Sequence, residues 1–147
     1  MRGRRTLIAA TAGAASLFAS GAARADGSPL TVIVTNVRRA VGHVRLEVCS
    51  RAEFLKPCVH SGSAPAQVGV TTVEVPDLPA GDWAIQAYLD ENDNHQVDQN
   101  FLGIPKEGVG FSNDAPFSLG PPKFKRARFT HGDEPQTVTL KLRYLPG

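Results

Sequence analysis

The 147-residue chain has no apolar run long enough to cross a bilayer, which takes about 20 residues. Its one weakly apolar run, Leu7 to Ala19, is short and rich in Ala, and no second follows, so no membrane span is expected. A sustained helical period is missing, as are internal repeats and low-complexity tracts. No charge of one sign dominates, with 16 Lys+Arg against 14 Asp+Glu. That balance argues against nucleic acid as a partner, which requires a strongly basic patch on the folded domain. The common catalytic signatures are missing too. His43, His60, His95 and His131 are scattered, with no HExxH or paired zinc spacing. No G-x-S-x-G is present, and Ser112-Asn113-Asp114 has the wrong order for S-D-N and lacks an accompanying S-x-x-K. Cysteine is nearly absent. Cys49 and Cys58 are the only two, and their spacing matches neither CxxC nor a zinc site.

What is present begins with an export signature. Arg2, Arg4 and Arg5 precede the Ala-rich run, and Ala23-Arg24-Ala25 fits a small-x-small cleavage site. Residues 1–25 are therefore expected to be a signal peptide cleaved after Ala25, by either the general secretory or the twin-arginine route. Four arginines (Arg2, Arg4, Arg5, Arg24) and no acid lie in that segment. The remaining 12 basic and 14 acidic side chains sum to −2. Residues 26–147 suit a single domain with one hydrophobic core. In the periplasm or outside the cell, two cysteines suggest a Cys49–Cys58 disulfide, worth about 2.5 kcal/mol for so short a loop.

Period-two alternation runs through LTVIVTN, HVRLEVCS, TTVEV, DWAIQAYLD and TVTLKLRY. Each predicts a half-buried strand, with Leu30/Val32/Val34, Val44/Leu46/Val48, Val73/Val75, Trp83/Ile85/Ala87/Leu89 and Val138/Leu140/Leu142 facing inward. A sixth strand is expected around Lys125–Phe129, its Lys and Arg side chains guarding a sheet edge. Ser50–Leu55 hints at one helical turn, with Ser50 as N-cap and Glu53 three residues on. Short strands joined by Pro and Gly turns indicate an all-β, antiparallel two-sheet β-sandwich of about seven strands. From Glu91 to about Pro122 neither period holds. The large apolar groups there argue for a long ordered loop rather than disorder.

That loop begins LDENDNHQVDQNFLGIPKEG, with Asp90, Glu91, Asp93 and Asp98 within nine residues and no Lys or Arg among them. Counting from Asp90, oxygen-bearing residues recur at alternate positions: Asp90, Asn92, Asn94, Gln96 and Asp98. This follows the first nine positions of a calcium-binding EF-hand loop. Calcium takes six to eight hard oxygen ligands, and alternate side chains on a curled backbone point inward together, with Gln96 giving its carbonyl. His95 stands where glycine is usual, and Phe101 where a bidentate Glu is usual. Asn100 and Glu107 are candidate extra ligands. Two formal charges set affinity on the order of 10⁻⁴–10⁻³ M. The competing reading is an acidic turn held by Asx hydrogen bonds.

The segment LPAGDWAIQAYLDENDNHQVDQNFLGIPKEGVGFSN resembles the hallmark region of secreted bacterial proteins grouped as the domain of unknown function 2141 family. Leu78 to Gly81, Asp90, Asn92, Asn94, Asp98, Asn100, Gly103 to Pro105, Glu107 and Gly110 to Asn113 carry the likeness, and GPPKFKRARF is similar to a later family segment. His95 departs from the family's glycine. The resemblance implies an exported, prealbumin-like or Ig-like β-sandwich and little about activity. The expected function is a non-catalytic, calcium-stabilised module of the cell envelope, not an enzyme. It would present Phe101, Ile104, Phe111 and Asn113 to an envelope protein or glycan. The alternative is a small hydrolase acting on envelope glycan or peptide through loop carboxylates.

Overall fold

The computed structural model describes residues 13, 27–117 and 119–146. The signal segment expected over residues 1–25, with its cleavage after Ala25, lies outside the described residues apart from Gly13.

All five alternating segments are strands. They are β1 (Ser28–Val37), β2 (His43–Cys49), β4 (Gly69–Leu78), β5 (Gly81–Asp90) and β8 (Gln136–Lys141). Three more have no alternating signature: β3 (His60–Pro65), β6 (Val109–Phe111) and β7 (Phe129–His131). One sheet has the order β4-β1-β8, and the other is β3-β2-β5-β6 with β7 also paired to β5. Leu30, Val32, Val34, Val44, Leu46, Val48, Val73, Ile85, Leu89 and Leu140 are fully or almost fully buried in one cluster between the sheets. Side chains of this size each gain about 1.5–3 kcal/mol on burial, so this layer dominates the stability of the sandwich.

Two details differ from the sequence reading. The sheets are not wholly antiparallel: β8 lies beside β1 in parallel, with Val32 opposite Val138 and Val34 opposite Leu140. Side-chain alternation is the same for either direction, so the pattern in TVTLKLRY carried no information about it. Lys125–Phe129 is also not one strand. Phe124–Ala127 is a single helical turn, α1, and β7 starts at Phe129. A strand would send Phe124 and Ala127 to opposite faces, whereas the helical turn buries both on one side.

β3 escaped detection because HSGSAP has few strand-favouring residues. Gly62 is required there, since a Cβ would stand 2.8 Å from the Glu74 carbonyl oxygen on β4. Ser50 forms the expected turn, its carbonyl accepting from Glu53 N (3.1 Å) and Phe54 N (3.0 Å). The Cys49–Cys58 disulfide closes it.

A second, smaller core covers the outer face of the five-stranded sheet. Cys49, Phe54, Ala84, Val109, Phe111, Ala115, Phe124 and Ala127 are buried in it, with Tyr88, Val97 and Phe117 packed alongside. β5 is thus covered on both faces, Ala84 as fully as Ile85.

Candidate functional site

β5 ends at Asp90, whose side chain points to the outer face yet is wholly buried. The loop curls back over it, so that Asn94 N donates to Asp90 Oδ1 (3.1 Å) and His95 N to Asp90 Oδ2 (3.0 Å). The curl needs left-handed backbone at Asp93 (φ 54°) and His95 (φ 62°). Asp and His adopt that region more readily than most residues. Asn92 Oδ1 accepts from Asn94 N (3.3 Å), and Asn94 Oδ1 from Gln96 N (3.0 Å). The carboxamide nitrogens of Asn92 and Asn94 each donate to Asp98, at 2.7 Å. The carboxamide nitrogens of Asn92 and Asn94 thus converge on the Asp98 carboxylate, one on each oxygen, while their own oxygens make the Asx hydrogen bonds of the competing reading.

The cation among these acids comes from β2. Arg45 pairs with Tyr88 across the β2–β5 ladder, one step diagonally from Asp90. Its Nε lies 2.6 Å from Asp90 Oδ2 and its Nη2 3.2 Å from Asp93 Oδ1. His43 Nδ1 is 2.7 Å from the same Asp93 oxygen. Burial raises the Asp90 pKa, but the Arg45 guanidinium and the two loop N–H groups outweigh it and leave the carboxyl below its usual range. Glu107 closes the base of the turn, Oε1 accepting from Glu91 N (3.0 Å) and Oε2 from Asp98 N (3.1 Å). Burial pushes its pKa up despite those donors, and the neighbouring Asp98 and Asp90 charges add to the rise.

Beyond the turn the chain makes a narrow hairpin. Gln99 bridges to Pro105, and Asn100 Oδ1 accepts from Leu102 N (2.9 Å) and Ile104 N (3.0 Å). The Asn100 side-chain oxygen is thus directed at the hairpin tip. Phe101 and Leu102 stand on that tip, 95% and 67% exposed. Between this hairpin, the outer face of β5–β6, Phe117 and Leu119–Pro121 lies a cavity of about 550 Å³. Tyr88, Val97, Ile104, Phe111, Phe117 and Leu145 are among its lining residues. Leu55 forms part of the mouth in a left-handed conformation (φ 68°), with its N–H donating to Gln86 Oε1 (3.0 Å). A leucine rarely adopts this region, which costs on the order of 1–3 kcal/mol. The adjacent disulfide and Gln86 hold it there.

Of the four residues expected to face a partner, Phe101 is exposed, while Ile104 and Phe111 line the cavity. Phe111 packs edge-on against Phe54 and Phe117. Asn113 is elsewhere, its Nδ2 donating to the carbonyls of Arg126 (3.3 Å) and Arg128 (2.7 Å). Arg45, Tyr88, Leu55 and Phe117 were missed. Arg45 and Glu47 stood out only as the outward charges of an alternating strand, and nothing local tells which partner such a charge meets.

Two other clusters are structural. Ser28 Oγ lies 2.8 Å from His131 Nε2, whose Nδ1 meets Gln136 Oε1 at 2.7 Å. The order resembles a hydrolytic triad, but Ser28 and His131 are both buried. Ser28 Oγ also bonds to the carbonyls of Gly132 and Glu134. It fastens the start of β1 to the β7–β8 connection. Glu47, Cys49 and Cys58 form the one group of three metal-capable His, Cys, Asp or Glu side chains among the described residues, and both sulfurs are joined in the disulfide.

No curated protein and no solved structure matches the chain. A family model described as "Uncharacterized protein conserved in bacteria (DUF2141)" matches residues 32–139, a stretch that runs from β1 through the acidic turn and the cavity to β8, and the chain belongs to that family.

Proposed function

We propose that the protein is a non-catalytic binding module of the bacterial cell envelope, whose long loop takes calcium at the Asp90–Asp98 turn and offers the outer-face cavity to a partner. The cavity carries this reading. Its size falls in the range of ligand sites. No Asp, Glu, His or Cys is among its described lining residues, a lining that favours binding over acid–base chemistry. Leu102 and Leu119 line it as large exposed apolar groups, with exposed Phe101 next to Leu102 on the hairpin tip, the surface expected of an interaction site. The disulfide fits an oxidising compartment.

The turn's donor set suits a hard cation, since it comprises two carboxylates, two carboxamides and a main-chain carbonyl. Asn92 and Asn94 already converge on Asp98. A half-turn of each carboxamide brings its oxygen there in place of NH₂, at the cost of the bonds from Asn94 N and Gln96 N. Arg45 competes for the same charge at Asp90, which favours weak binding. Calcium here supplies positive charge that ties the start of the loop to its base.

An environment-sensitive apolar dye tests the cavity. It is expected to bind the folded protein saturably, and Ile104→Arg to abolish binding. Thermal melting tests the metal. With a dissociation constant near 10⁻³ M, about 10 mM calcium stabilises the wild type by roughly 1.4 kcal/mol and Asp98→Ala much less. An unchanged wild-type melting curve removes calcium from the proposal. Release of soluble fragments from envelope glycan or peptide would favour the hydrolase.

A further inference from the structure

We infer that the outer-face cavity captures the hydrocarbon chain of a single amphiphile with an anionic head, such as a long-chain carboxylate, in monomeric form. This names the ligand class of the binding module proposed above and rests on that reading. Three observations converge. The first is the shape and chemistry of the space. A volume of about 550 Å³ is more than one inserted side chain fills, and its lining residues are mostly Leu, Ile, Val, Phe and Pro. A flexible chain desolvates along its whole length in such a space, whereas a glycan would leave its hydroxyls unpaired.

The second is the placement of polar groups. Gln86 is already engaged, donating to Glu47 and the Lys56 carbonyl while its Oε1 accepts from Leu55 N. The Tyr88 hydroxyl and the Gln99 carboxamide make no hydrogen bond among the described residues, and both line the cavity. They are two donors for one polar head. The third is charge. No charged side chain is among the described lining residues, and the nearby acids Asp90, Asp98, Glu107 and Glu47 are already held in hydrogen bonds of their own. Lys56 and Lys106 follow lining residues Leu55 and Pro105. Their main chains bond to Gln86 Nε2 and to the Asp98 carbonyl, and both residues are exposed. Cations beside an apolar mouth select an anionic head.

The test is calorimetric titration of the purified, disulfide-bonded protein with straight-chain carboxylates of increasing length, each below its micelle concentration. One-to-one binding is expected to tighten about fourfold per added methylene, until the cavity is full and the gain stops. Ile104→Arg should weaken it more than tenfold. Leu102→Ser, at the exposed edge of the lining, gives the same sign without introducing a charge, and melting curves confirm that both variants fold. The double variant Lys56→Glu/Lys106→Glu should weaken the carboxylate about three- to tenfold and leave the matching alkyl alcohol unchanged. If the apolar dye binds but no carboxylate of any length does, the inference fails and the binding-module reading stands. If neither binds, both fail. Sedimentation with anionic phospholipid vesicles without uptake of monomer would mean surface docking, and overturns capture. Equal affinity for alcohol and carboxylate overturns the anionic head.

Discussion

Arg45 Nε lies 2.6 Å from Asp90 Oδ2, across the β2–β5 ladder and beneath the curl of the acidic turn. Asp90 is fully buried and the Arg45 side chain is 18% exposed. The pair gives the first turn of the long loop an internal counter-charge.

Removing Arg45 leaves the buried Asp90 charge with only the Asn94 and His95 N–H groups to compensate it. Arg45→Ala is expected to destabilise the fold by roughly 3 kcal/mol, the lower end for a buried pair because Arg45 reaches solvent. Chemical denaturation measures this as a lower midpoint. Calcium should rescue the variant more than it stabilises the wild type, because the competing guanidinium is gone.

Ser112 ties the loop to the sheet. Its Oγ accepts from Ile85 N (2.8 Å) and donates to the Ala127 carbonyl, with both contacts buried. Ser112→Ala orphans one donor and one acceptor, so a loss of about 2–4 kcal/mol is expected. Amide hydrogen exchange at Ile85 should quicken even where global unfolding is corrected for.

Opening the Cys49–Cys58 bond is expected to lower stability by about 2.5 kcal/mol, given the short loop it closes. The cost should fall unevenly. Leu55 loses its clamp and relaxes from positive φ, so dye binding in the cavity weakens in Cys58→Ser at temperatures well below its melting point. Equal dye affinity in oxidised and reduced protein would contradict the role given to this wall.

Glu53 makes the Ser50 turn sensitive to acid. Its carboxylate accepts from Ser50 N (3.0 Å), Ser50 Oγ (2.8 Å) and Val59 N (3.3 Å). The Ser50 backbone bond, more than any other cause, holds its pKa below the ordinary value of 4.5. A depressed folded pKa means the contribution is complete above that ordinary value and disappears as pH falls through the folded one. The Ser50 amide resonance should therefore titrate below about pH 4.5 in the wild type and stay flat in Glu53→Gln.

Much of the architecture was legible in the chain. Alternation located β1, β2, β4, β5 and β8 and their inward faces, because a two-sided strand writes its environment at every second residue. Spacing at Asp90, Asn92, Asn94 and Asp98 announced a curled turn, since Asx side chains bond to backbone one or two residues on. An expected export and an even cysteine count pointed to the Cys49–Cys58 bridge.

Only the tertiary structure could decide the rest. The parallel partnership of β1 and β8, the edge strand at His60–Pro65, the meeting of Arg45 with Asp90 and the enclosure of a cavity by Leu55, Ile104 and Phe117 all join residues distant in sequence. Local pattern records which side of the backbone a residue turns to core or solvent. Which residue it meets there depends on register, strand order and loop closure, and those are properties of the assembled sheets.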